Sequence, residues 1–309
     1  MPTRYAYFGH HKCASTWIDN ILRDVCVEAG LRYRPLVDHQ TPQGHGPLTD
    51  YTATIPRNEL GQHVAREQID LLGCFTADWT QVEQLPGVRG VHVIRDPRDI
   101  IVSGYFSHKN SHPVEHLPHM AAHRDRLRAA SKEEGLFLEM DYAASEMADL
   151  SSWRYDHPDI LELKMEELTP KPYAGFLEIF SFLGLLEDNP YTLQGRLRTW
   201  SAALRNRLAQ QHPRLKALRQ KTPVYGELLL GRVFDHRYSK KAGGRSKGTA
   251  DRKSHYRKGV AGDWRNHFTP DHVAAFKDRF GTLASDLGYE AGPDWALDGS
   301  TSFEAIGDQ

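Results

Sequence analysis

Cysteine is scarce in this sequence. The 309 residues include only Cys13, Cys26 and Cys74, and none of them stands in a Cys-x-x-Cys pair. An odd number without that spacing excludes a disulfide framework and a zinc ribbon. We therefore expect a protein of a reducing compartment, with the cytoplasm as its predicted location.

Long apolar segments are absent as well. The mean hydropathy is −0.58, and no apolar run approaches the roughly 20 residues that a bilayer-spanning helix needs. The first nine residues lack the basic and apolar regions of a secretory leader. These absences predict a soluble protein without a transmembrane segment, and 39% hydrophobic residues are enough for a sizeable core.

The chain has almost no net charge, but this balance conceals a basic segment. The net charge is −1, whereas the stretch from Arg232 to Lys258 carries ten basic residues and two acids, and so a charge of +8. A solvated loop, a nucleic-acid tail and a flap over a small polyanion are the alternatives for such a block. Its internal position and few aromatic residues argue against nucleic acid. A small anionic ligand is the better prediction.

Alternating strand and helix patterns predict the fold class. Short β-prone runs are followed by segments with apolar residues at helical spacing, which is typical of strand–loop–helix units around a parallel sheet. No linker-like stretch divides the chain, so we expect a single α/β domain. The predicted strands are 4–8, 31–37, 71–75, 88–94 and 160–163. The predicted helices cover 17–25, 58–69, 97–106, 120–153, 173–183, 191–220 and 271–287, and 41–56 is predicted to be a loop.

The first chemistry-bearing segment is Gly9 to Trp17 (GHHKCASTW), between a strand and a helix. Unpaired N–H groups at a helix N-terminus bind phosphate, and small residues let the anion approach. The segment is not a Walker A loop, because Lys12 comes three residues before Ser15 and no second glycine is present. An anion site with a lysine and no metal is one interpretation. An ordinary turn with Ser15 as the N-cap is the other.

Two further segments carry cations beside small or hydroxyl residues. In the segment 93–105, Arg95 precedes a helix predicted to begin near Pro97, and Ser103 lies two turns along it, so both could face one phosphate. In the segment 255–268, Arg257 and Lys258 are followed by Gly259, which presents two cations and an unhindered N–H group.

All three segments resemble the cytosolic sulfotransferase family in order and spacing. KCASTW at 12–17 is similar to the family's 5′-phosphosulfate loop, usually PKSGTTW. RDPRDIIVS at 95–103 resembles its 3′-phosphate motif, and YRKGVAGDWRNHFT at 256–269 is close to its RKGxxGDWKNHFT segment. A fourth stretch, 157–184, is similar to the family's strand and helix around a YED triplet. The resemblance covers nearly the whole chain.

The resemblance implies a P-loop-like α/β fold over residues 1–309 and transfer of a sulfuryl group from 3′-phosphoadenosine 5′-phosphosulfate (PAPS). Residues 9–17 would form the phosphosulfate loop, 95–103 the 3′-phosphate motif and 232–269 the basic cofactor segment. Lys12 and the N–H groups of Cys13, Ala14, Ser15, Thr16 and Trp17 would stabilise the leaving oxygen. Arg95, Ser103, Arg257, Lys258 and Gly259 would hold the 3′-phosphate. Trp17 and Tyr238 would enclose the adenine, and the Asp263-Trp264 pair would be structural.

The chain departs from the family pattern in the loop and at the catalytic base. Ala14 replaces the usual glycine, and His11 replaces the proline before the lysine. The family's histidine base has no counterpart, because no histidine occurs between His63 and His92. In the matching segment, 71–79, Asp78 is the only acid or base. A glutamate base of carbohydrate and tyrosyl sulfotransferases lies nearer the first loop, where this chain offers Asp38 and His39, so the base stays open among these three.

Five histidines recur every three or four residues, at His108, His112, His116, His119 and His123. Prolines interrupt any helix that would align them, and no metal is expected. We predict histidines of the surface and of a substrate loop, with 41–56 and 108–120 lining the acceptor pocket.

The acceptor class stays open among small molecules, glycans and lipids, as does the oligomeric state. A non-catalytic sensor of PAPS or of its product, adenosine 3′,5′-bisphosphate (PAP), is the alternative function, and a nucleotide kinase is a third.

Overall fold

A computed structural model describes residues 4–37, 40–42, 51–114, 117–187, 192–251, 254 and 256–297. The strands are β1 Arg4–Gly9, β2 Tyr33–Leu36, β3 Gln40–Pro42, β4 Tyr51–Thr54, β5 Leu71–Cys74, β6 Val88–Ile94 and β7 Ile160–Lys164. The helices are α1 Ser15–Glu28, α2 Leu60–Arg66, α3 Trp79–Glu83, α4 Pro97–Asn110, α5 Pro118–Ala129, α6 Lys132–Tyr142, α7 Ala144–Ser152, α8 Met165–Leu168, α9 Pro172–Phe182, α10 Leu193–Gln211, α11 Gly226–Asp235, α12 Tyr238–Lys241, α13 Pro270–Phe280 and α14 Leu283–Asp286.

The chain forms two compact units, each assembled from two separate stretches. Unit 1 comprises residues 1–94 and 152–237, and unit 2 comprises 95–151 and 238–309. The backbone passes from unit 1 to unit 2 between β6 and α4 and returns at the end of α7, so no single cut in the chain separates the units. This explains why the sequence shows no linker between two halves.

Unit 1 is built on a five-stranded parallel sheet with the order β2-β5-β1-β6-β7. Side chains of β1 alternate between its two faces, as a strand buried on both sides requires. Tyr7 joins a cluster with Ile18 of α1 and Phe176 of α9, whereas Phe8 joins a second cluster with Leu60 of α2. The α/β class with a central parallel sheet flanked by helices is therefore confirmed.

Unit 2 is helical and centres on α4, which packs against α5 and α6 and against a short 3₁₀ turn at Asp263–Asn266. The Asp96 side chain caps α4 by accepting from the Arg98 N–H group, and Pro97 takes the first helical position, which its fixed φ favours. Arg98 is fully buried between the rings of Trp264 and Trp295, with its guanidinium carbon 3.9 and 4.4 Å from their centroids.

Several sequence predictions of local structure need correction. The predicted helix 120–153 is divided into α5, α6 and α7, and α10 ends at Gln211 although the prediction extended this helix to 220. The predicted loop 41–56 contains β4, which pairs antiparallel with β3, so its described part is strand and not loop at these residues. The predicted terminal helix 271–287 is broken at Gly281, whose φ of +58° ends α13 before α14 begins. Gly281 takes a left-handed conformation that few other residues adopt at low cost. Over the described residues, no helix combines the length and the apolar character needed to cross a bilayer.

Candidate functional site

The predicted phosphosulfate loop lies in unit 1 and links β1 to α1. Two of its residues that are not glycine have left-handed backbone angles: Lys12 has a φ of +65°, and Ala14 has a φ of +60° and is the N-cap of α1. A residue with a Cβ atom pays about 1–2 kcal/mol for this conformation. Ser15 is therefore not the N-cap, and the alternative of an ordinary Ser-capped turn is wrong.

The backbone of this loop leaves a group of donors at the start of α1. The Cys13 N–H group donates to the His10 carbonyl at 3.2 Å, and the Trp17 N–H group donates to the Ala14 carbonyl at 2.9 Å. Within the described residues, the N–H groups of Ala14, Ser15 and Thr16 have no backbone acceptor. A helix N-terminus with free donors and a neighbouring lysine, here the half-buried Lys12, can bind an anion.

Trp17, predicted to contact adenine, packs inside unit 1. Its ring meets Phe176 edge to face, with 5.3 Å between centroids, and it remains half-buried. The contact fixes the ring at the first turn of α1. Tyr238 belongs to unit 2, so the predicted adenine contact stays a prediction.

Beside the loop, hydrogen bonds link the buried residues His10, His92 and Trp153 with the half-buried Glu162, and the sequence did not predict this arrangement. His10 Nε2 lies 2.9 Å from His92 Nε2, and His92 Nδ1 lies 2.6 Å from Glu162 Oε2. The other Glu162 oxygen accepts from the Trp153 indole N–H group at 2.8 Å. The Trp153 ring also stacks on His92, with 4.0 Å between centroids. This arrangement connects β7, β6 and the first residue after β1.

Burial determines the charge states of these hydrogen-bonded side chains. It lowers the pKa of His92 to about 3, and burial together with the neighbouring His92 lowers the pKa of His10 well below its ordinary range. Both rings are therefore neutral at pH 7, so the contact between His92 and Glu162 is a hydrogen bond between a neutral ring and a carboxyl group. Burial also raises the pKa of Glu162 to about 7, against the opposing hydrogen bond from Trp153.

The strand sequences do carry a signal for the contact between His92 and Glu162. His92 and Glu162 each stand between two apolar residues of their strand, and the parallel register of β6 and β7 pairs these two residues directly. A fully buried polar residue such as His92 needs a partner. Strand order and register were needed to identify the partner.

Asp78, one of the predicted bases, is the N-cap of α3. Its carboxylate accepts from the Thr80 hydroxyl and from Arg57 Nη1, the latter at 3.2 Å, and Gln81 completes a capping box. The residue is 7% exposed. The capping contacts give Asp78 a structural role, and its role as a base stays a prediction. Asp38 and His39, the other two predicted bases, lie outside the described residues.

In unit 2, Arg95, Asp99 and Ser103 follow one another at intervals of four residues into and along α4. This spacing places successive side chains on one helix face. Arg95 is buried, and its Nη2 lies 3.8 Å from Asp99 Oδ2. Asp99 also accepts from the N–H groups of Gly262 at 2.7 Å and Trp264 at 2.9 Å. It therefore anchors the backbone after Gly259 to α4, beside the residues predicted to hold the 3′-phosphate.

The two other predicted phosphate ligands, Arg257 and Lys258, share one carboxylate. Each donates to Asp263 at 2.5 Å, and the Asp263 side chain is fully buried. Burial alone would raise the pKa of Asp263, but hydrogen bonds from His267, Lys258, Asn266 and Arg257 outweigh it and hold the pKa far below its usual range. The Arg257 guanidinium also lies 4.6 Å from the Phe106 ring centroid. The Asp263 contacts support the predicted structural role of the Asp263-Trp264 pair.

Gly259 meets two local requirements of this segment. Its φ is +71°, and a Cβ atom at this position would lie 2.6 Å from the ring of Tyr238. The Tyr238 hydroxyl in turn donates to the Tyr256 carbonyl at 3.3 Å. The structure thus brings Gly259 and Tyr238 into direct contact. Both are residues predicted to bind the nucleotide, and their contact fixes the position of the Tyr238 ring.

Two of the clustered histidines are buried and share an acid, which corrects the prediction of surface histidines. His108 Nδ1 lies 2.8 Å from Glu139 Oε1, and His123 Nε2 lies 2.9 Å from Glu139 Oε2. Burial would raise the pKa of Glu139, but both histidines, His108 first, lower it below its ordinary value. His112 is half-buried, His119 is exposed, and His116 lies outside the described residues. Glu139, on α6, is the partner that the sequence pattern did not indicate.

In its fold, the chain is similar to the solved structure of a sulfotransferase. The mouse sulfotransferase SULT7A1, in complex with PAP, is 14% identical with a TM-score of 0.51 over 93% of this chain and 87% of that chain. Two structures of retinol dehydratase, one with androsterone and PAP and one with retinol and PAP, are 14% and 16% identical, with TM-scores of 0.44 and 0.45. They cover 93% of this chain and 82% and 83% of theirs.

The likeness to the mouse protein confirms, at the level of the fold, the resemblance indicated by the three motifs. No protein-family model matches the chain, and no curated protein matches it in sequence.

Proposed function

We propose that the protein is a PAPS-dependent sulfotransferase that acts on a hydroxyl or amine group of a small-molecule, glycan or lipid acceptor. The observation that carries the proposal is the loop between β1 and α1. There, Lys12 lies beside the N–H groups of Ala14, Ser15 and Thr16, which have no backbone acceptor in the described part of the chain, at the start of α1 in a chain with a sulfotransferase-like fold. The PAP bound to the mouse sulfotransferase supports the choice of nucleotide.

Lys12 and the loop N–H groups would hold the phosphosulfate end of the donor. PAPS supplies an activated sulfuryl group whose S–O bond to the nucleotide breaks as a bond to the acceptor oxygen or nitrogen forms. Negative charge then develops on the oxygen that remains with PAP. Lys12 would stabilise that charge, because a preorganised cation acts most strongly where charge appears in the transition state. The reaction would need no Mg²⁺ ligands, since Lys12 and the N–H groups would stabilise the developing negative charge.

The acceptor must lose a proton as it is sulfonated. Asp78, Asp38 and His39 are the candidate bases. Of these, Asp78 lies in the described residues, where its carboxylate is engaged by Thr80 and Arg57. A base must reach the acceptor within hydrogen-bond distance, so Asp78 would have to exchange one of these contacts for the acceptor.

The 3′-phosphate would be held by residues of unit 2. Arg95, Ser103, Arg257, Lys258 and Gly259 are the proposed ligands, and Tyr238 with Trp17 would contact the adenine. Asp263 orients Arg257 and Lys258 before any ligand binds, since it accepts from both. A nucleotide without the 3′-phosphate should bind weakly, because its complex lacks the charge-assisted hydrogen bonds that these residues would make to that phosphate.

Two substitutions test these roles. Lys12→Ala should lower kcat by about 10²–10³-fold with little change in PAP affinity. Arg257→Ala should weaken PAP binding by about 10- to 100-fold, the effect of one charge-assisted hydrogen bond. Calorimetry with PAP and turnover of labelled PAPS over a panel of phenols, alcohols, amines, sugars and lipids measure the two effects. Lys240→Ala, an exposed lysine of the same basic segment, is the matched control.

The outcomes separate the alternatives. Tight PAP binding with no turnover of any acceptor would favour the sensor over the enzyme. Tighter binding of ATP than of PAP would refute both and favour a kinase. A Lys12→Ala protein that loses PAP affinity but keeps kcat, together with an Arg257→Ala protein that does the reverse, would overturn the assignment of roles.

A further inference from the structure

Helix α10 of unit 1 buries its small and polar residues and exposes its large apolar ones. Its buried positions are occupied by small or polar residues, namely Thr199, Ala202, Ala203, Asn206 and Ala209. Its large apolar side chains point outward: Leu193, Leu197, Trp200, Leu204 and Leu208 are 74, 63, 64, 60 and 39% exposed. Successive members of this outward set are three or four residues apart, so they form one continuous stripe on the helix. We refer to these five residues as the α10 stripe.

The stripe cannot turn inward, because hydrogen bonds fix the opposite face. Asn206 Nδ2 donates to the Glu28 carbonyl at 2.8 Å and to the Gln220 carbonyl at 2.9 Å. Asn206 Oδ1 accepts from the Gln220 N–H group at 2.9 Å. Rotating α10 would break all three bonds in a buried setting, where an unpaired amide is costly. The exposed stripe is therefore a fixed surface of unit 1.

The segment around the stripe is basic throughout. Residues 193–226 contain eight basic residues and no aspartate or glutamate. At 100° per residue, Arg196 and Arg207 border one side of the stripe, and Arg198 and Arg205 border the other. Among the described residues, Arg196 pairs with Glu227 and Arg207 pairs with Glu28, whereas Arg198 and Arg205 form no ion pair.

This charge pattern selects between occupants of the stripe. A second α10 helix packed on the first would bring arginines on both borders against each other, and like charges that meet at an interface are unfavourable. A bilayer with anionic headgroups offers the complement, because an apolar layer lies directly beneath a negative surface. Helices with leucine and tryptophan on one side and arginine on the borders bind at that interface, with their axes parallel to it.

We propose that the α10 stripe docks the protein on membrane surfaces that contain anionic lipid. Leu197, Trp200 and Leu204 enter the boundary between headgroups and acyl chains, while Arg198 and Arg205 contact the lipid phosphates. The helix does not cross the bilayer. The docking is independent of sulfuryl transfer, because no stripe or border residue is a proposed ligand of the nucleotide.

Flotation of the full-length protein with lipid vesicles tests the docking. We expect binding to vesicles of 30% phosphatidylglycerol in phosphatidylcholine, at least tenfold weaker binding to pure phosphatidylcholine, and a steep loss at 0.5 M NaCl. Leu197→Gln/Leu204→Gln should reduce binding at least tenfold, and Arg198→Gln/Arg205→Gln should remove most of the preference for anionic vesicles. Phe234→Gln, which changes an exposed aromatic residue outside the stripe, is the matched control.

Two further measurements keep the test decisive. The exposed positions should tolerate these substitutions, and an unchanged thermal midpoint shows that loss of binding is not loss of folding. The fluorescence of Trp200 is the difference between the wild-type and Trp200→Phe emission spectra. Its maximum should shift to shorter wavelength when anionic vesicles are added. Equal flotation of wild type and the double leucine variant would overturn the proposal. So would a dimer in sedimentation equilibrium that the leucine substitutions dissociate, because a second copy would then cover the stripe.

Discussion

Glu162 should make the stability of the protein fall as the pH rises through the neutral range. Its side chain is 23% exposed and contacts His92 and Trp153, and partial burial raises its pKa from an ordinary 4.5 to about 7. The folded state therefore retains a proton on Glu162 that the unfolded chain releases. The contribution of this proton is complete below pH 4.5 and is lost progressively up to about pH 7. Glu162→Gln removes the titrating group and keeps an oxygen that can accept from the Trp153 indole.

The magnitude follows from the two pKa values. A shift of one pKa unit corresponds to about 1.4 kcal/mol, so the free energy of unfolding should lose about 2–3 kcal/mol between pH 5 and pH 8 through this group alone. The Glu162→Gln protein should not show that part of the loss. Its stability relative to wild type should rise by the same 2–3 kcal/mol over this interval. The neutral histidines His10 and His92 destabilise the folded state at acid pH, but both proteins contain them and their effect cancels in the difference.

Urea unfolding of both proteins at half-unit intervals from pH 5 to pH 8 measures the difference. Glu83→Gln, which removes an exposed carboxylate that pairs with Arg154 at 3.5 Å, is the control for the loss of a surface charge. The prediction concerns the slope of the difference against pH. If the free energies of unfolding of the Glu162→Gln and wild-type proteins change with pH in parallel, the carboxyl of Glu162 is not held in its protonated form. The proposed charge states of His92 and Glu162 would then be wrong.

Two further substitutions test the strain in the loop and the anchoring of the cations. Ala14→Gly should stabilise the protein by about 1 kcal/mol, because glycine adopts a φ of +60° without the steric cost of a Cβ atom, whereas Ala65→Gly in the exposed part of α2 should destabilise it by about 0.5–1 kcal/mol. The urea midpoints of the two variants measure these effects. If both substitutions lower the midpoint, the backbone at Ala14 is not strained. Asp263→Asn should cost roughly 3 kcal/mol at pH 7, because it leaves Arg257 and Lys258 without their shared carboxylate. The cost should shrink below pH 4, where the unfolded carboxyl is protonated, and a cost below 1 kcal/mol at pH 7 would show that the cations do not depend on Asp263.

The parallel sheet was accessible from the sequence because its signal is local. Each strand is a short apolar run between turn residues, and the helices that follow carry apolar residues at helical spacing. The prediction of 88–94 as a strand matches β6 residue for residue, and the helix predicted from Pro97 begins there. Pro97 could be placed because the geometry of a helix start depends on the few residues around it.

Contacts between distant segments were not accessible in the same way. Glu139 partners His108 and His123 across the α4, α5 and α6 interfaces, and the spacing of the histidines suggested surface positions. The acid that completes such a group can stand anywhere in the chain, so spacing alone cannot identify it. The same applies to His92 and Glu162, which are 70 residues apart and meet only through strand register.

The distribution of charge shows why pairing matters more than counting. The segment from Arg232 to Lys258 carries +8 in the sequence, but Arg232 pairs with Glu28, and Arg257 and Lys258 pair with Asp263, so acids outside the segment engage these three cations. The fully buried carboxylate holds two of these cations in place, and an incoming phosphate would compete with it for them. Residues 193–226 carry the same formal charge without an internal acid, and Arg198 and Arg205 on their surface remain without an ion pair among the described residues. The first segment is thus organised for a small anion that must match a fixed geometry, whereas the second presents its charge to a wide anionic surface.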